Sequence, residues 1–438
     1  MDRSTGNTYN VSKEQNTPGI ERRRFRPYPE YKDSGVEGLG NIPEHWKILA
    51  LKRICRLAYG DSLAADERRD GDFEVYGSNG PVGVHDRSNS LGPCLVVGRK
   101  GSFGKINFSP NPVFAIDTTF FIDSRFTSVY LRWLYFALTG LHLDSISKDS
   151  AIPGLDREDA YARLVPVCSV EEQREVASFL DRETAKIDAL IEKKHWLIEL
   201  LQEKRTALIT QAVTKGLDPT VPMKYSGIEW LGKIPAHWEV LSLKRLGIIQ
   251  AGAGFPDDEQ GMVDEDLPFF KVGDLARSKD GKHLDIAPNS ISKDTAKRLR
   301  AYVFPAGTIV FAKVGAALKL NRRRILTRPA CIDNNMMGFI TDRCDRDWAF
   351  CLLCSLDLGE LANPGAVPSV NEGQAREIQA ALPPIEEQRA IGSFHDREAA
   401  KIDALISKIR EAITSLSEYR TALISAAVTG KMDVREVQ

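Results

Sequence analysis

The sequence lacks any run of about 18 uninterrupted apolar residues, the length that a transmembrane helix needs. No apolar core follows Met1-Asp2-Arg3-Ser4, so a secretory signal is not predicted. Cysteine is scarce and odd in number, seven in 438 residues, and its spacing is not that of a disulfide scaffold. These absences together predict a cytoplasmic chain with reduced thiols and no membrane contact.

An excess of charge of one sign is also missing. Lysine and arginine number 59 against 60 aspartates and glutamates, which gives a formal net charge of -1. A simple nucleic-acid-binding domain is usually basic, so any DNA-binding surface here must be local. Residues 1–30 have little apolar content and include Arg22-Arg23-Arg24-Phe25-Arg26, which predicts a flexible basic leader. That leader is either solvated or in contact with phosphates.

Common catalytic fingerprints are absent, including G-x-S-x-G, H-E-x-x-H and the Rossmann glycine pattern. The sequence contains neither the Asn/Asp-Pro-Pro-Tyr/Phe motif of amino-methyltransferases nor a clear Glu-x-Lys nuclease site. Cys351 and Cys354 are spaced like zinc ligands, but they lie in an apolar helical stretch without a second pair. We therefore predict no catalytic residue, no bound metal and no cofactor on this chain.

What the sequence does contain is an internal repeat, and 438 residues are long for one domain. An opening segment that ends in Ile-Pro-x-His-Trp spans Ser34–Trp46 and recurs 192 residues later as Ser226–Trp238. A second segment starts with Glu-Glu-Gln-Arg at Glu171 and recurs 215 residues later at Glu386. The stretch between these segments is 23 residues longer in the second copy and barely repeats. Two similar scaffolds therefore hold two dissimilar inserts.

The second repeated segment predicts a long helix in each copy. Residues 170–213 contain no proline or glycine, and Ser169 with Glu172 fits the S-x-x-E capping box of a helix start. Two prolines precede the helix of the second copy, where a missing N–H costs little. The predicted helices span 169–216 and 385–430, each about 60 Å long at 1.5 Å per residue.

Apolar residues recur every seven positions in both helices, which is typical of a coiled-coil seam. The two helices are therefore predicted to pack antiparallel on each other, and the alternative is that each lies on its own domain. The first helix has a seam of Leu180, Ile187, Lys194, Leu201 and Leu208, with Leu190 and Leu197 at the second position. The second helix has Ile402, Ile409, Leu416 and Leu423, with Leu405 and Ala412.

The first insert has the pattern of strands and turns, and glycines bracket its basic residues in 98–105. Glycines allow the backbone to approach a phosphate while the cations neutralise it, although a basic turn without special function is the alternative. A nucleotide P-loop is excluded, because Ile106 follows Gly104-Lys105 where that motif needs Ser or Thr. The candidate DNA-binding residues are Tyr76, Ser78, Asn79, Arg99, Lys100 and Lys105.

The second insert has basic and no acidic residues between Lys313 and Arg328. In a chain of net charge -1 this predicts a local positive patch, where arginine and asparagine can address phosphates and base edges. A solvated basic face is the alternative. The candidate DNA-binding residues are Lys271, Lys313, Lys319, Asn321, Arg322, Arg323, Arg324 and Asn335. Adjacent arginines cannot all enter one groove, so Lys319 and most of the three arginines are expected on phosphates.

From about Tyr31 to Val428 the chain resembles the specificity subunit of a type I restriction-modification system. The similarity lies in the opening segments, in short runs of the first insert, in a run before each long helix and in the helix starts. These residues are Gly40–Trp46, Gly232–Trp238, Tyr76–Gly80, Gly98–Ser102, Ala151–Leu155, Ala366–Val370, Glu171–Arg174 and Glu386–Arg389.

The resemblance implies an α+β fold: two mixed α/β target-recognition domains separated by two long antiparallel coiled-coil helices, with a pseudo-two-fold internal repeat. The corresponding boundaries are a leader at 1–30, a first domain at 31–168, a first helix at 169–216, a second domain at 217–384, a second helix at 385–430 and a tail at 431–438.

The resemblance also implies a non-catalytic subunit in which each domain reads one half of a bipartite, asymmetric site on double-stranded DNA. The helices bind two modification subunits, which carry S-adenosylmethionine, while restriction subunits use ATP and Mg²⁺. Matched charges on the helices suggest where partners bind, with recent duplication as the alternative. The expected partner-binding residues are Glu171, Gln173, Arg174, Arg182, Glu386, Gln388, Arg389 and Arg397.

Two other functions fit less of the sequence. A methyltransferase or nuclease in one chain needs a cofactor or metal motif, which is missing. A non-catalytic coiled-coil adaptor, or the DNA-recognition module of another defence system, is compatible with the repeat.

Overall fold

The computed structural model describes residues 26–145, 154–363 and 367–435. The chain divides into two compact units, Met1–Glu192 with Ala412–Gln438 and Lys193–Glu411. Each unit combines one predicted domain with part of each long helix, so the helices belong to the cores of both units. The predicted leader residues 1–25 lie outside the described residues, as do 151–153 and 366 of the runs that precede the helices.

The first unit is built around a four-stranded sheet in the order β4-β10-β7-β8. A three-stranded sheet, β6-β5-β9, and the pairs β1–β2 and β3–β11 complete its strands among the described residues. The strands are β1 (Tyr31–Asp33), β2 (Asn41–Pro43), β3 (Lys47–Ala50), β4 (Ala58–Tyr59), β5 (Phe73–Gly77), β6 (Gly80–His85), β7 (Cys94–Gly98), β8 (Ile106–Ser109), β9 (Phe114–Ala115), β10 (Thr119–Asp123) and β11 (Leu164–Val167). The helices are α1 (Leu131–Gly140), α2 (Arg157–Tyr161) and α3 (Val170–Lys215).

Burial explains this arrangement. Every residue of β7 is buried, as expected for an apolar strand with a neighbour on each side and a covered face. Its inward side chains share one core with α1, with the start of α3 and with the end of the second long helix, as shown by Leu95, Trp133, Leu180 and Leu423.

The second unit repeats the plan with a five-stranded sheet, β15-β22-β19-β20-β17, a three-stranded sheet, β18-β16-β21, and the pairs β12–β13 and β14–β23. The strands are β12 (Met223–Tyr225), β13 (Lys233–Pro235), β14 (Glu239–Ser242), β15 (Gly247–Ala251), β16 (Leu267–Phe270), β17 (His283–Leu284), β18 (Ser290–Ile291), β19 (Ile309–Ala312), β20 (Arg323–Leu326), β21 (Cys331–Ile332), β22 (Met336–Thr341) and β23 (Gln379–Leu382). The helices are α4 (Lys293–Arg298), α5 (Ala316–Lys319), α6 (Arg346–Ser355), α7 (Glu372–Glu377) and α8 (Ile385–Val428).

The opening segments join the long helices through one glutamate in each unit. Glu172 accepts hydrogen bonds from the Tyr28 hydroxyl at 2.8 Å and pairs with His45 Nε2 at 3.0 Å. Glu387 pairs with His237 Nε2 at 2.6 Å and accepts from the Trp238 indole at 2.9 Å. The start of α3 carries only half of the predicted capping box, because the Glu172 side chain is used in these contacts.

The packing of Tyr28 bears on the predicted extent of the flexible leader. The Tyr28 side chain is only 2% exposed, and the Arg26 carbonyl accepts a hydrogen bond from the Asp433 N–H at 2.9 Å. The Arg435 guanidinium lies 4.9 Å from the centroid of the Tyr28 ring. The prediction of a flexible leader through residue 30 was therefore wrong for 26–30, where an aromatic residue packs against the carboxyl-terminal tail.

In each unit the two long helices run antiparallel. In the first, Glu172 at the start of α3 and Gly430 after α8 both lie beside the Trp46 segment. Arg420 donates to Asp188 at 2.9 Å in the first unit, and Arg205 donates to Asp403 at 3.1 Å in the second. These two ion pairs join equivalent positions of the repeat, since both partners differ by 215 residues.

The predicted seam is confirmed only in part. At its first position Lys194, Leu201, Leu208 and Ile409 are half-buried and the other residues are buried, while at its second position Ala412 is half-buried and the leucines are exposed. Leu180, Ile187, Ile402, Leu416 and Leu423 are buried, whereas Leu190, Leu197 and Leu405 are 48%, 42% and 49% exposed. Ile406, four residues after Ile402, is buried instead. A heptad seam alternates steps of three and four residues, and the partner helix here meets the fourth residue. Among the described residues, none of the helices combines the length and apolar character needed to cross a membrane.

Candidate functional site

Three turns of the first domain meet at one edge of its sheets. The Ser78 hydroxyl donates to the Thr118 carbonyl at 2.7 Å, which joins the β5–β6 turn to the β9–β10 turn. The backbone N–H groups of Arg99 and Lys100 donate to that same carbonyl at 2.9 and 3.2 Å. Lys105 Nζ donates to the Asn79 carbonyl and Oδ1, both at 2.8 Å. The structure therefore brings together five of the six candidate residues of this domain.

The exposed fraction of each side chain shows which residues of this cluster can reach a ligand and which hold the turns together. Asn79, Lys100 and Lys105 are exposed and Arg99 is half-buried, so their polar groups can reach a ligand. Ser78 is buried and is used to hold the Thr118 turn. Tyr76 is also buried, and its burial, with the carboxylate of Glu74 nearby, raises the pKa of its hydroxyl. Tyr76 therefore lies beneath the surface that the exposed residues form.

The second domain has the same turns. The Lys313 N–H donates to the Asn335 carbonyl at 2.9 Å, as Arg99 does to Thr118. The carboxylate of Asp333 accepts from the backbone N–H groups of Val272 at 3.1 Å and Asn335 at 2.8 Å, and burial raises its pKa. Lys271 lies in the first of these turns, and its Nζ donates to the Gln260 side chain at 2.7 Å.

Alternate side chains at the start of β20 point to opposite faces, so the residues of the predicted basic patch do not all lie at the surface. Arg323 is 2% exposed, and its guanidinium donates to the Leu353 and Leu356 carbonyls at 3.2 Å each and to Asn321 Oδ1 at 3.0 Å. Burial lowers the pKa of Arg323 to about 10. Arg324 is half-buried, and its guanidinium donates to the Arg323 carbonyl.

The other members of the patch differ in what they can reach. The Asn321 amide donates to Asp357 Oδ1 at 3.0 Å, so both ends of this side chain bind protein atoms. Lys319 is exposed and Arg322 is half-buried. The surface part of the patch is therefore Lys313, Lys319, Arg322 and Asn335, while Arg323 fastens β20 to α6.

Sequence analysis missed two residues that the structure places beside Arg99. Tyr59 is 47% exposed, and the guanidinium carbons of Arg99 and Arg157 each lie 5.0 Å from its ring centroid. Neither Tyr59 nor Arg157 lies in a glycine-bracketed basic turn, which was the signal used to choose candidates. Only the pairing of β4 with β10 and the position of α2 bring them together.

The repeated residues of the long helices also have two kinds of environment. Gln173 and Gln388 are buried. Gln173 accepts from the Tyr130 N–H at 2.8 Å and donates to the Cys168 carbonyl at 2.9 Å. Gln388 accepts from the Asp345 N–H at 2.7 Å and donates to the Pro383 carbonyl at 2.8 Å. Their identity in the two copies therefore has an internal cause, the docking of each domain on its helix.

The exposed helix charges form matched ladders. Glu183 lies 3.3 Å from Arg182 and 2.8 Å from Lys186 in the first copy. The second copy repeats this pattern in Arg397, Glu398 and Lys401, where the hydrogen bond from Lys401 lowers the pKa of Glu398. The remaining predicted partner-binding residues, Glu171, Arg174, Glu386 and Arg389, are exposed as well.

Metal chemistry finds no support in the described part of the chain, where no three His, Cys, Asp or Glu side chains are grouped to hold an ion. Burial raises the pKa of Cys351 well above its usual range, and the same cause raises that of Cys354. Burial thus disfavours the thiolate form of both side chains.

Comparison with known families and proteins agrees with this geometry. The family described as type I restriction modification DNA specificity domain matches residues 235–415. The MjaVIII specificity subunit of a type I restriction enzyme from Methanocaldococcus jannaschii is 25% identical over 305 residues, covering 67% of this chain and 68% of that protein. The MjaIX specificity subunit from the same organism is 23% identical and covers 94% of this chain and 99% of its own. The EcoDI specificity subunit from Escherichia coli is 23% identical, with 90% of each chain covered.

A solved structure shares the fold. It is described as showing complex assembly and conformational transition of the type I R-M system, and it superposes with a TM-score of 0.61 at 17% identity, covering 89% of this chain and 99% of the other. The predicted α+β fold with two mixed domains and two long helices is confirmed. Residues 235–415 thus match the type I restriction modification DNA specificity domain, and the chain is similar over most of its length to specificity subunits of type I restriction enzymes.

Proposed function

We propose that this chain reads a bipartite DNA site, one half with each domain, and that its helices bind two modification subunits. The proposal rests on one observation: the two domains share the same backbone hydrogen bonds between their turns but differ in the exposed side chains around them. In both domains a backbone N–H of a basic turn residue donates to the carbonyl of a neighbouring turn, at Arg99 and at Lys313. The exposed side chains around these two bonds differ, so the same framework presents two different surfaces to DNA.

The surface that meets DNA is assigned to the exposed polar residues of each turn cluster. Lysine and arginine neutralise phosphates, and asparagine can pair with adenine. Tyr76, Ser78 and Arg323 are left out of this surface because they are buried. Asn321 is left out because both ends of its amide bind protein atoms, and Arg324 because its guanidinium donates to the Arg323 carbonyl. The proposed DNA-binding residues are Asn79, Arg99, Lys100, Lys105, Lys271, Lys313, Lys319, Arg322 and Asn335.

The helix surface that meets the modification subunits is assigned to one face in each copy. Arg182, Lys186 and Leu190 are spaced four residues apart on α3, so they share a face, and all three are exposed. Arg397, Lys401 and Leu405 repeat this face on α8. A large apolar side chain one turn after two cations suits a partner helix with leucines and acidic residues.

In this proposal the chain itself is non-catalytic. S-adenosylmethionine is held by the modification subunits, and ATP with Mg²⁺ is used by restriction subunits that join the complex. The names of the relatives support this division, because each is called the specificity subunit of a restriction enzyme.

An exchange of inserts tests the two-half reading. Replacing residues 57–168 with the insert of another specificity subunit should change one half of the methylated sequence and leave the other half as it was. The measurement is methylation mapping of DNA from cells that express the chain with its modification subunit. The control is the same exchange in the second domain, which should change only the other half. A change in both halves contradicts the division of labour, and methylation at no defined sequence favours the adaptor alternative.

A further inference from the structure

One corner of the first domain joins an exposed aromatic ring to two cations. Tyr59 ends β4 and packs on Phe120 of β10 with ring centroids 5.0 Å apart, yet 47% of the tyrosine is exposed. The guanidinium carbons of Arg99 and Arg157 both lie 5.0 Å from the tyrosine centroid. A cation–π contact of this kind holds a guanidinium against the ring and leaves its other N–H groups available for hydrogen bonds. We call Tyr59, Arg99 and Arg157 the cationic corner.

Each arginine of the cationic corner is oriented but not saturated. Arg99 donates one guanidinium N–H to the Asp117 carbonyl at 2.9 Å, which sets its direction. Arg157 Nε is buried and lies 3.7 Å from Glu158 Oε1, a loose ion pair beyond hydrogen-bond distance. About a third of its side chain, 35%, faces solvent. An arginine that is held by a ring and half-buried at a protein edge is poised to bind an acceptor from outside.

The backbone around this corner is repeated in the second domain. Gly60 N–H donates to the Thr119 carbonyl at 3.1 Å, and Gly252 N–H donates to the Met336 carbonyl at 3.1 Å. The residues before these glycines are Tyr59 and Ala251, which therefore occupy equivalent positions.

Matching backbone hydrogen bonds also identify the second-domain residues that are equivalent to Arg99 and Arg157. Leu155 N–H donates to the Arg99 carbonyl at 2.8 Å, and Val370 N–H donates to the Lys313 carbonyl at 2.9 Å. Two residues after Leu155 is Arg157, and two residues after Val370 is Glu372. The equivalent corner thus consists of Ala251, Lys313 and Glu372.

In the equivalent corner of the second domain, the Glu372 carboxylate hydrogen-bonds to other groups of the same domain. Glu372 accepts from the Ala251 N–H at 2.8 Å and from the Arg376 guanidinium at 3.0 Å. The scaffold therefore forms with an alanine and a carboxylate where the first domain has a tyrosine and an arginine. The fold therefore does not require an aromatic ring and a second cation at this position. Their presence in the first domain points to a role other than folding.

We infer that the cationic corner is a base-reading contact, and that its guanidinium groups bind guanine in the half-site of the first domain. This inference rests on the proposed function. Guanine presents O6 and N7 side by side in the major groove, and the paired N–H groups of arginine match them. Tyr59 positions the two arginines, and the solvent-facing end of the Arg157 guanidinium supplies the contact that the second domain lacks.

The test compares variants of the full chain assembled with its modification subunit. Arg157→Ala should lower discrimination at one guanine position of the first half-site by about ten- to a hundredfold, the range expected for a bidentate pair. Tyr59→Ala should have a similar effect, while Tyr59→Phe keeps the ring and should behave as wild type. The readout is binding to a library in which each base pair of both half-sites is varied. Arg87→Ala, at an exposed arginine of the same domain, is the matched control.

The salt dependence of binding separates this inference from a phosphate contact. A base-reading role leaves the slope of affinity against salt nearly unchanged, whereas a lost phosphate contact lowers it by about one and weakens all sequences equally. The second result, or an unchanged preference, overturns the inference. If Arg157→Ala melts early, Arg157→Gln keeps part of the stem but presents an amide instead of a cation, and it should still lose the guanine preference. A wild-type complex without any sequence preference overturns the proposed function together with this inference, while selectivity that the variants leave intact overturns the inference alone.

Discussion

Arg322 and Arg323 are sequence neighbours with opposite surroundings. Arg323 provides hydrogen bonds to two carbonyl oxygens between α6 and the following turn, while Arg322 keeps part of its side chain at the surface. Arg323→Ala should lower the free energy of unfolding by about 2–6 kcal/mol, since each buried acceptor left without a donor costs about 1–3 kcal/mol. Arg322→Ala should change stability little and lower the salt slope of DNA binding by about one. Denaturant unfolding and salt titration measure both, and equal stability of the two variants contradicts the assignment.

His395 gives the stability a pH dependence. Its side chain is 4% exposed beside Asp396 and Phe350, and burial lowers its pKa below the usual 6.5. A folded state that disfavours the proton loses stability as the pH falls below the unfolded-state pKa, so stability should decline as the pH falls below about 6.5. Asp396 opposes part of this effect. His395→Gln should flatten the decline, and His195→Gln, at an exposed histidine, should leave it unchanged. Unfolding midpoints across this pH range decide, and parallel curves for all three proteins contradict the prediction.

At the residue scale, sequence analysis located the basic turns but not the direction of each side chain. The turns were recognisable because glycines flank the cations of 98–105, and glycine patterns are local. The difference between Arg322 and Arg323 depends on which face of β20 packs on α6, which is a tertiary property. Tyr59 and Arg157 were missed for the same reason, since strand pairing rather than sequence proximity joins them to Arg99.

At the element scale, Leu405 and Ile406 are adjacent residues on different faces of α8. Ile406 is 7% exposed at the seam and Leu405 is 49% exposed. Ile406→Ala should cost about 2–4 kcal/mol of stability because it leaves a cavity between helices. Leu405→Ala should stay within about 0.5 kcal/mol, as exposed substitutions usually do. Chemical denaturation of the full chain tests the pair, and a larger loss for Leu405→Ala restores the originally predicted seam.

The helices were the most predictable elements, and their seam was predictable only in part. Absence of proline and glycine over 170–213 is a local signal, and α3 is observed at Val170–Lys215. The first seam position followed from the seven-residue period. The second did not, because apolar residues stand both three and four positions after Ile187, at Leu190 and Ile191. Only the position of the partner helix decides between these two, and it leaves Leu190 exposed.

At the scale of the whole molecule, the proposed function implies one partner site on each copy of the repeat. Identical polar residues at matched positions do not by themselves indicate a partner. Gln173 and Gln388 are identical because each forms the internal hydrogen bonds that dock its domain on the helix. Leu190 and Leu405 are different, because both are large, apolar and about half exposed at positions 215 residues apart. Internal packing does not account for an exposed leucine in both copies, which leaves recent duplication or an equivalent partner on each copy as its cause. The proposed function assigns it to the partner.

This argument predicts the stoichiometry of the assembled complex. The unmodified chain should bind two modification subunits, Leu190→Asp or Leu405→Asp alone should bind one, and the double variant should bind none. A buried aspartate in an apolar contact is costly, so each substitution should remove its own partner while the chain stays folded. Native mass spectrometry of purified mixtures counts the subunits, and Ala substitutions at Asp188 and Asp403, which lie in the ion pairs between the helices, serve as controls. Two partners bound to the double variant would place the partner surface elsewhere on the helices, and loss of both partners in either single variant would mean that they bind cooperatively rather than independently.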